Sequence, residues 1–222
     1  MSSPETPLDA VCLDREPYSV FTRDQISRAV LDSRPTPYPF DASSLQASVA
    51  IVVTDGKDCP EVCFIRRAER DDDPWSGHVS FPGGRAERSD QSAEDVAERE
   101  TREEIGMHLD AEHRIGPLTV LPKIRRGLTL FPFVYWVDSD KRAEARVCAK
   151  DEVASVFWVP LRHFQDEDAV TTLDYDLDGS RQAFPAIRYD DHVIWGLTLH
   201  LLHYFHSLLR QPFPALDGRQ FP

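Results

Sequence analysis

The stretch from Ser92 to Gly106 constrains this chain more than any other. At about 100° per residue, Ala93, Val96, Ala97, Glu100 and Glu104 fall along one stripe of a helix, with Glu103 at its border. Gly106 stands where a helix ends in a left-handed residue. The first half of the stripe is small and apolar, as a buried face should be. The second half switches to carboxylates. A solvated helix puts its acids opposite the apolar face, whereas here they continue it. Carboxylates at i, i+3 and i+4 repel one another unless a cation holds them. Hard oxygen ligands suit Mg²⁺ or Mn²⁺ rather than a soft metal. Arg99 can clamp a neighbouring glutamate and fix its orientation. Upstream, the Gly83-Gly84 turn lets a backbone carbonyl come close to such a cation. The plain alternative is a surface helix with ion pairs such as Glu98–Arg102.

The rest of the chain supplies a sheet for that helix to cover. ASVAIVVTD (47–55) reads as a buried strand and Glu61 to Arg66 as a second, with the turn Asp55-Gly56-Lys57-Asp58 between them. Residues 67–80 read as a long loop around Pro74-Trp75-Ser76-Gly77, and Val79 to Phe81 as a short strand entering Pro82-Gly83-Gly84. Further strands are predicted at 115–121, 128–137, 153–159 and 186–195, and a closing helix from Leu197 to Leu209. Near the start, Thr22-Arg23-Asp24-Gln25 opens a capping-box-like helix with Ile26, Val30 and Leu31 on its apolar face, stopping before Pro35. Strands, helix, strands, helix suggests helices packed on a mixed sheet. The expected organisation is an N-terminal arm with a short helix (1–45), one domain (46–210) and a C-terminal tail (211–222).

Charge narrows the partners. With 25 Lys and Arg against 38 Asp and Glu, the net charge is −13. That disfavours wrapping a nucleic-acid polymer, which depends on neutralising phosphates, and it disfavours an anionic membrane surface. No apolar run approaches the roughly 20 residues of a membrane helix. The opening MSSPETPLDAVCLDREP lacks a basic n-region and an apolar h-region, so a cytoplasmic protein is expected. The four cysteines Cys12, Cys59, Cys63 and Cys148 are too few for a disulfide scaffold. The lone Cys59-x3-Cys63 pair reads as free thiols on a strand rather than a zinc site.

Gly83-Gly84-Arg85 and, after it, Arg99-Glu100-Thr101-Arg102-Glu103-Glu104-Ile105-Gly106-Met107 resemble the Nudix box, G-x5-E-x7-R-E-U-x-E-E-x-G-U with U apolar. Arg99, Glu100, Glu103, Glu104, Gly106 and Met107 match in type and spacing, with Thr101 at the first U. Upstream, Gly84 is followed by five residues, then Asp90, then eight residues before Arg99. That one-residue extension resembles the coenzyme A diphosphatase branch of the family. The resemblance implies a Nudix-type α/β/α sandwich with a mixed β-sheet. It also implies hydrolysis of a nucleoside diphosphate linked to another group, using Mg²⁺ or Mn²⁺. By carry-over, Glu100 and Glu104 would be metal ligands, Glu103 would be shared between ions, and Gly84 would give its carbonyl. Either Glu100 or Glu152, at the mouth of a strand, would take the proton of the attacking water. Arg85, and Arg66 or Arg67 on the second strand, are candidates to grip a phosphate. Trp75 would stack on a base or pack on the core. The chemistry suits the residues: a chain at −13 repels a pyrophosphate until bound cations neutralise it.

That branch also carries L-L-T-x-R-S/A, three residues, R, three residues, G, three residues, F-P-G-G. Cys63-Phe64-Ile65-Arg66-Arg67-Ala68 fills the first part, with Arg67 and Ala68 matching; Gly77 and Phe81-Pro82-Gly83-Gly84 fill the last. The middle departs, with one extra residue and Asp72 or Asp73 where the second Arg belongs. Trp195-Gly196-Leu197-Thr198 also looks like that branch. Coenzyme A or a derivative, cleaved to 3′,5′-ADP and 4′-phosphopantetheine, is the first expected substrate. A nucleotide sugar, ADP-ribose or a dinucleotide is the second. The competing class is a catalytically silent Nudix-fold nucleotide-binding module, against which the full set of glutamates argues.

Two further patterns invite metals and are set aside. Asp174-x-Asp176-x-Asp178-Gly179 begins like a calcium loop, but Pro185 stands where the bidentate Glu belongs, so an acidic hairpin turn is predicted. His200, His203 and His206 fall to one side of the apolar stripe of the last helix, which predicts a polar face or a subunit contact, as in a homodimer.

Overall fold

A computed structural model describes residues 21–70, 75–177 and 179–213. Its centre is a seven-stranded mixed sheet. Strand β1 (Gln46–Thr54) runs parallel to β6 (Thr129–Val137) over its whole length, from Gln46 opposite Thr129 to Thr54 opposite Val137. Both strands read as continuous apolar runs because they are covered on both faces. The other edge of β1 is shared between two partners. Its C-terminal end pairs with β2 (Glu61–Arg67), and its N-terminal end pairs with β4 (Gly83–Arg85), both antiparallel. β2 also takes β3 (Val79–Ser80) on one side and β7 (Val153–Pro160) on the other. β5 (Arg114–Pro117) closes the far edge against β6.

Alternation along β1 and β6 sorts the core into two layers. Ala50, Val52, Phe131, Phe133 and Tyr135 face helix α2 (Ala93–Ile105), which contributes Ala93, Ala97 and Ile105. Ile51, Val53, Leu130, Val134 and Trp136 face the opposite layer. There α1 (Arg23–Ser33) brings Ile26 and Val30, and α4 (Gly196–Leu208) brings Leu199, Leu201, Leu202 and Phe205. A short helix, α3 (Ser139–Arg142), follows β6. The protein is a three-layer α/β/α sandwich on a mixed sheet, as expected.

The predicted capping box at Thr22 is present, its side chain accepting from Gln25 N–H. Leu31, placed on the apolar face of that helix, is instead 62% exposed, because the packed stripe ends at Val30. The strand predicted at 115–121 stops at Pro117, leaving a single bridge from Leu121 to Leu130. The strand predicted at 186–195 is two strands. A tight turn at Asp190-Asp191 separates β9 (Ser180–Tyr189) from β10 (His192–Trp195), with Asp190 in the left-handed region. Together with β8 (Val170–Leu177), for which no strand was predicted, they form a second, antiparallel sheet. The acidic pattern does turn a hairpin: Asp176 Oδ1 accepts from Gly179 N–H between β8 and β9.

Of the histidines of α4, His203 is exposed, as a polar face requires, and His206 departs from that reading. His206 is fully buried, its ring nitrogens 3.1 Å and 3.3 Å from the carbonyls of Leu202 and Leu161. Cys63 is buried in β2 and Cys59 lies before it, both free thiols; Cys12 lies outside the described residues.

Candidate active site

Helix α2 is positioned from both ends. At its start Ser92 accepts from Asp95 N–H and Asp95 returns a carboxylate to Ser92 N–H, each at 3.1 Å. At its end Gly106 adopts φ 72° and donates to the Arg102 carbonyl. The last turn is tied sideways as well. The Glu104 carbonyl accepts from Cys148 N–H at 2.9 Å, and the Ile105 carbonyl accepts from Arg146 N–H at 3.0 Å. These bonds anchor the segment that leads to Glu152 and β7.

The acidic half of the stripe meets the Gly83-Gly84 strand. Glu104 is buried at 2% exposure, and its Oε2 accepts from Gly83 N–H at 2.8 Å. Glu100 lies so close to Gly84 that a Cβ there would overlap its carboxyl group. Only glycine leaves room for that approach. Burial pushes Glu104 up to about 8; Gly83 N–H and Arg67 oppose the shift, and Glu100 and Glu152 reinforce it. Burial likewise raises Glu100, with Arg99 opposing and Glu103 and Glu152 reinforcing. Glu152 is exposed, and its carbonyl accepts from Ala68 N–H at 2.8 Å, which holds it beside the end of β2.

Arg99 gathers the surroundings. Its Nη1 reaches Glu100 at 2.9 Å and Glu103 at 3.2 Å, its Nη2 donates to the Arg85 carbonyl at 2.9 Å, and its Nε and Nη2 each meet Asp90 at 3.0 Å. Burial pushes Asp90 upward, but the Arg99 hydrogen bonds, Glu87 N–H and the Arg99 charge outweigh it and hold the carboxyl below its ordinary value. Asp90 is thus the anchor that orients the clamp.

The residue pattern extends well beyond this helix. A profile of the NUDIX domain matches residues 44–176, more than half of the chain. The chain belongs to the Nudix family. It is 30% identical over 177 residues to the uncharacterized Nudix hydrolase NudL of Yersinia enterocolitica, covering 80% of this chain and 87% of that protein. It is 28% identical over 169 residues to the human mitochondrial coenzyme A diphosphatase NUDT8, covering 76% and 71%. Among solved structures, a MutT/Nudix family protein from Enterococcus faecalis superposes with a TM-score of 0.52 at 15% identity, covering 87% of this chain and 76% of that one, and shows the shared fold.

Within this Nudix domain the sequence-predicted residues sort by face. Glu100 and Glu104 come together against Gly83-Gly84. Glu103 turns outward to Arg99, and its side chain is 50% exposed. Among the described residues no three acidic, His or Cys side chains enclose a cation as they stand. Glu100 and Glu103 are turned to Arg99, and Glu104 to Gly83. The donor set still fits a hard divalent ion: all oxygen and partly desolvated, its two buried carboxyls raised first by burial and then by mutual repulsion, both of which a cation would offset.

Arg67 lies on the Glu104 side of β2. Arg66 faces the other way, paired with Glu69 at 3.0 Å. Arg85 is exposed and Trp75 is 38% exposed in the turn before His78. The Glu98–Arg102 pair does not form; Glu98 meets Arg114 at 3.1 Å and the Tyr135 hydroxyl at 3.3 Å. The anchoring role of Asp90 was not visible in the sequence, because helical periodicity says nothing about a loop residue nine positions before its arginine. The off-box spacing that ends at Asp90 was the available signal.

Proposed function

We propose that this Nudix protein hydrolyses the diphosphate bond of a nucleoside diphosphate linked to another group, with Mg²⁺ or Mn²⁺, and that coenzyme A or a derivative is the substrate. The observation that carries the reading is the meeting of Glu100 and Glu104 with Gly83-Gly84, under a clamp that ties Arg99 to Asp90, Glu100 and Glu103. The similarity to a human coenzyme A diphosphatase supports the choice of substrate. On this reading the catalytic unit spans 46–210.

Glu100, Glu104 and the Gly84 carbonyl would hold the metal, with Glu103 joining them. Such an ion neutralises phosphate charge and acidifies bound water. Arg67 and Arg85 would hold the phosphates, and Trp75 would face the nucleoside or its linked group. Water attacks one phosphorus, the bridging P–O bond breaks, and the water's proton passes to a carboxylate. Glu152 is the better candidate for that proton, because Glu100 is already engaged by Arg99. The products would be 3′,5′-ADP and 4′-phosphopantetheine. Asp72 or Asp73, standing where the branch's second arginine belongs, favours a second reading, in which nucleotide sugars, ADP-ribose or dinucleotides are cleaved.

The test is cleavage across coenzyme A, acyl-coenzyme A, ADP-ribose, nucleotide sugars, dinucleotides and nucleoside triphosphates, each with Mg²⁺ and with Mn²⁺, beside Glu104→Gln. Selective coenzyme A cleavage that Glu104→Gln abolishes is expected. Turnover of another diphosphate would leave the chemistry and discard the substrate. No metal-dependent turnover at all would point to a nucleotide-binding module.

A further inference from the structure

By alternation along β1, Gln46, Ser48 and Thr54 share the face that carries Ala50 and Val52 and that α2 covers. All three are polar side chains in an apolar layer. Two of them are satisfied. Gln46 accepts from Asp41 N–H at 2.9 Å and donates to the Pro39 carbonyl at 3.3 Å, and Thr54 donates to the Val137 carbonyl at 2.9 Å. Ser48 is different: it is 0% exposed, and its Oγ has no hydrogen-bond partner among the described residues. A buried hydroxyl without a partner is costly and uncommon, and calls for a reason.

Strand register says what stands beside it. Ser48 is opposite Phe131 on β6 and opposite Gly84 on β4. Residues directly opposite each other point to one face of the sheet, with Cβ positions about 4.5–5.5 Å apart across an antiparallel pair. On the β6 side the neighbour is the Phe131 ring, packed edge-on by Tyr38 and Phe40. On the β4 side Gly84 has no side chain, and the carboxyl group of Glu100 fills the space a Cβ would take. That places the Glu100 carboxyl within roughly 8 Å of the Ser48 Cβ, on the same face. Arg99 bonds Glu100 Oε1 at 2.9 Å, which leaves Oε2 for a second donor. The orphaned hydroxyl and the half-engaged carboxylate are thus neighbours across one strand pair.

We propose that Ser48 is a positioning residue for Glu100: its hydroxyl donates to Glu100 Oε2 and holds that carboxylate over Gly84 while Glu100 ligates a divalent ion. The proposal rests on the metal reading of the carboxylate site. A carboxylate offers about four acceptor positions, so Arg99, Ser48 and a cation can share one glutamate. Fixing both oxygens sets the plane of the carboxylate, which is how groups behind a metal ligand tune its affinity. The plain alternative is a small filler between Phe131 and the carboxyl, and a filler is indifferent to the hydroxyl. The two differ in what Ser48→Ala does to metal binding.

The test is the Mn²⁺ affinity of the full chain without substrate, read from the paramagnetic signal of free Mn²⁺. Wild type is compared with Ser48→Ala, Ser48→Cys, Glu100→Ala and the double variant Ser48→Ala, Glu100→Ala, and melting curves without metal establish that each is folded. Ser48→Cys stays close to serine in size but is only a weak donor, so it keeps the test open should Ser48→Ala fail to fold. Ser48→Ala is expected to weaken Mn²⁺ binding about tenfold, with Ser48→Cys moving the same way. Beside Glu100→Ala, the serine substitution is expected to cost nothing further, because its acceptor is gone. Wild-type affinity in both serine variants would make Ser48 a filler and overturn the proposal while the metal site stands. A loss that persists in full beside Glu100→Ala would also overturn it, since Ser48 would then act other than through Glu100. If wild type binds no Mn²⁺ that Glu100→Ala removes, the metal reading itself fails and the role of Ser48 falls with it.

Discussion

Arg99 has its donors shared among four partners, and Asp90 takes two of those hydrogen bonds while buried at 8% exposure. Removing such an anchor leaves the ligating groups present but loosely aimed, which typically costs 10–100-fold in activity or metal affinity, roughly. Asp90→Ala is therefore expected to lower metal-dependent turnover by about that factor; steady-state kinetics at saturating metal would check it, and wild-type rates would remove Asp90 from the clamp. The two adjacent glycines should separate fold from function. A Cβ on Gly83, at φ 150°, would overlap the Ser48 carbonyl, a backbone atom that cannot step aside. Gly83→Ala should cost about 1–3 kcal/mol of stability, measured by urea unfolding. A Cβ on Gly84 would overlap only the movable end of Glu100. Gly84→Ala should melt near wild type while losing most of its activity, and the reverse order of the two melts would contradict this account.

At the scale of elements, α2 and α4 cover opposite faces of one sheet, and each buries a titratable group. In α4, burial lowers His206 to about 4, against the two carbonyls that favour its charged form. The unfolded chain, with an ordinary histidine near 6.5, takes up that proton first. The stability contributed by neutral His206 is present above about pH 6.5 and is lost as pH falls toward 4, by a few kcal/mol on the order of the shift. Glutamates titrate in the same window, so the informative quantity is a difference. His206→Leu should lose less stability than wild type between pH 7.5 and 4.5 in urea unfolding; parallel curves would mean that His206 is already charged when folded. The elements themselves were largely legible. β1, β2, β6 and α2 followed from apolar runs, from the helical stripe and from the Gly106 cap. The β9–β10 turn was not, because Asp190-Asp191 sits between two short stretches, Ile187-Arg188-Tyr189 and His192-Val193-Ile194, that together read as one strand. His206 was misplaced because a helical wheel shows the angle of a side chain and not which neighbour covers it. Leu161 and Phe164, far along the chain, bury His206.

For the molecule as a whole, a net charge of −13 and two raised glutamates leave the fold short of positive charge at one place. A ligand that binds only the folded state stabilises it by about 2.7 kcal/mol at one hundred times its Kd. For a chain of this size that is a rise in Tm of roughly 5–10 °C. Saturating Mg²⁺ or Mn²⁺ is expected to produce such a rise in wild type and little in the double variant Glu100→Gln, Glu104→Gln, read by differential scanning calorimetry. An equal rise in both would place the stabilising ion elsewhere.

The sequence by itself determined the helix, its acidic stripe, the glycine pair and the layered class of the fold, because these rest on short-range periodicity and on backbone angles that one residue can impose. The tertiary structure alone decided which carboxylates meet. β4 pairs with β1, and that pairing carries Gly83 N–H to Glu104; the loop before α2 returns Asp90 to Arg99. It also decided that Arg66 and Arg67, neighbours in sequence, serve opposite faces of β2, and that β10 folds back to put Trp195 against His78. Such contacts depend on strand register and on which surfaces exclude water together, and no local pattern in the chain records them.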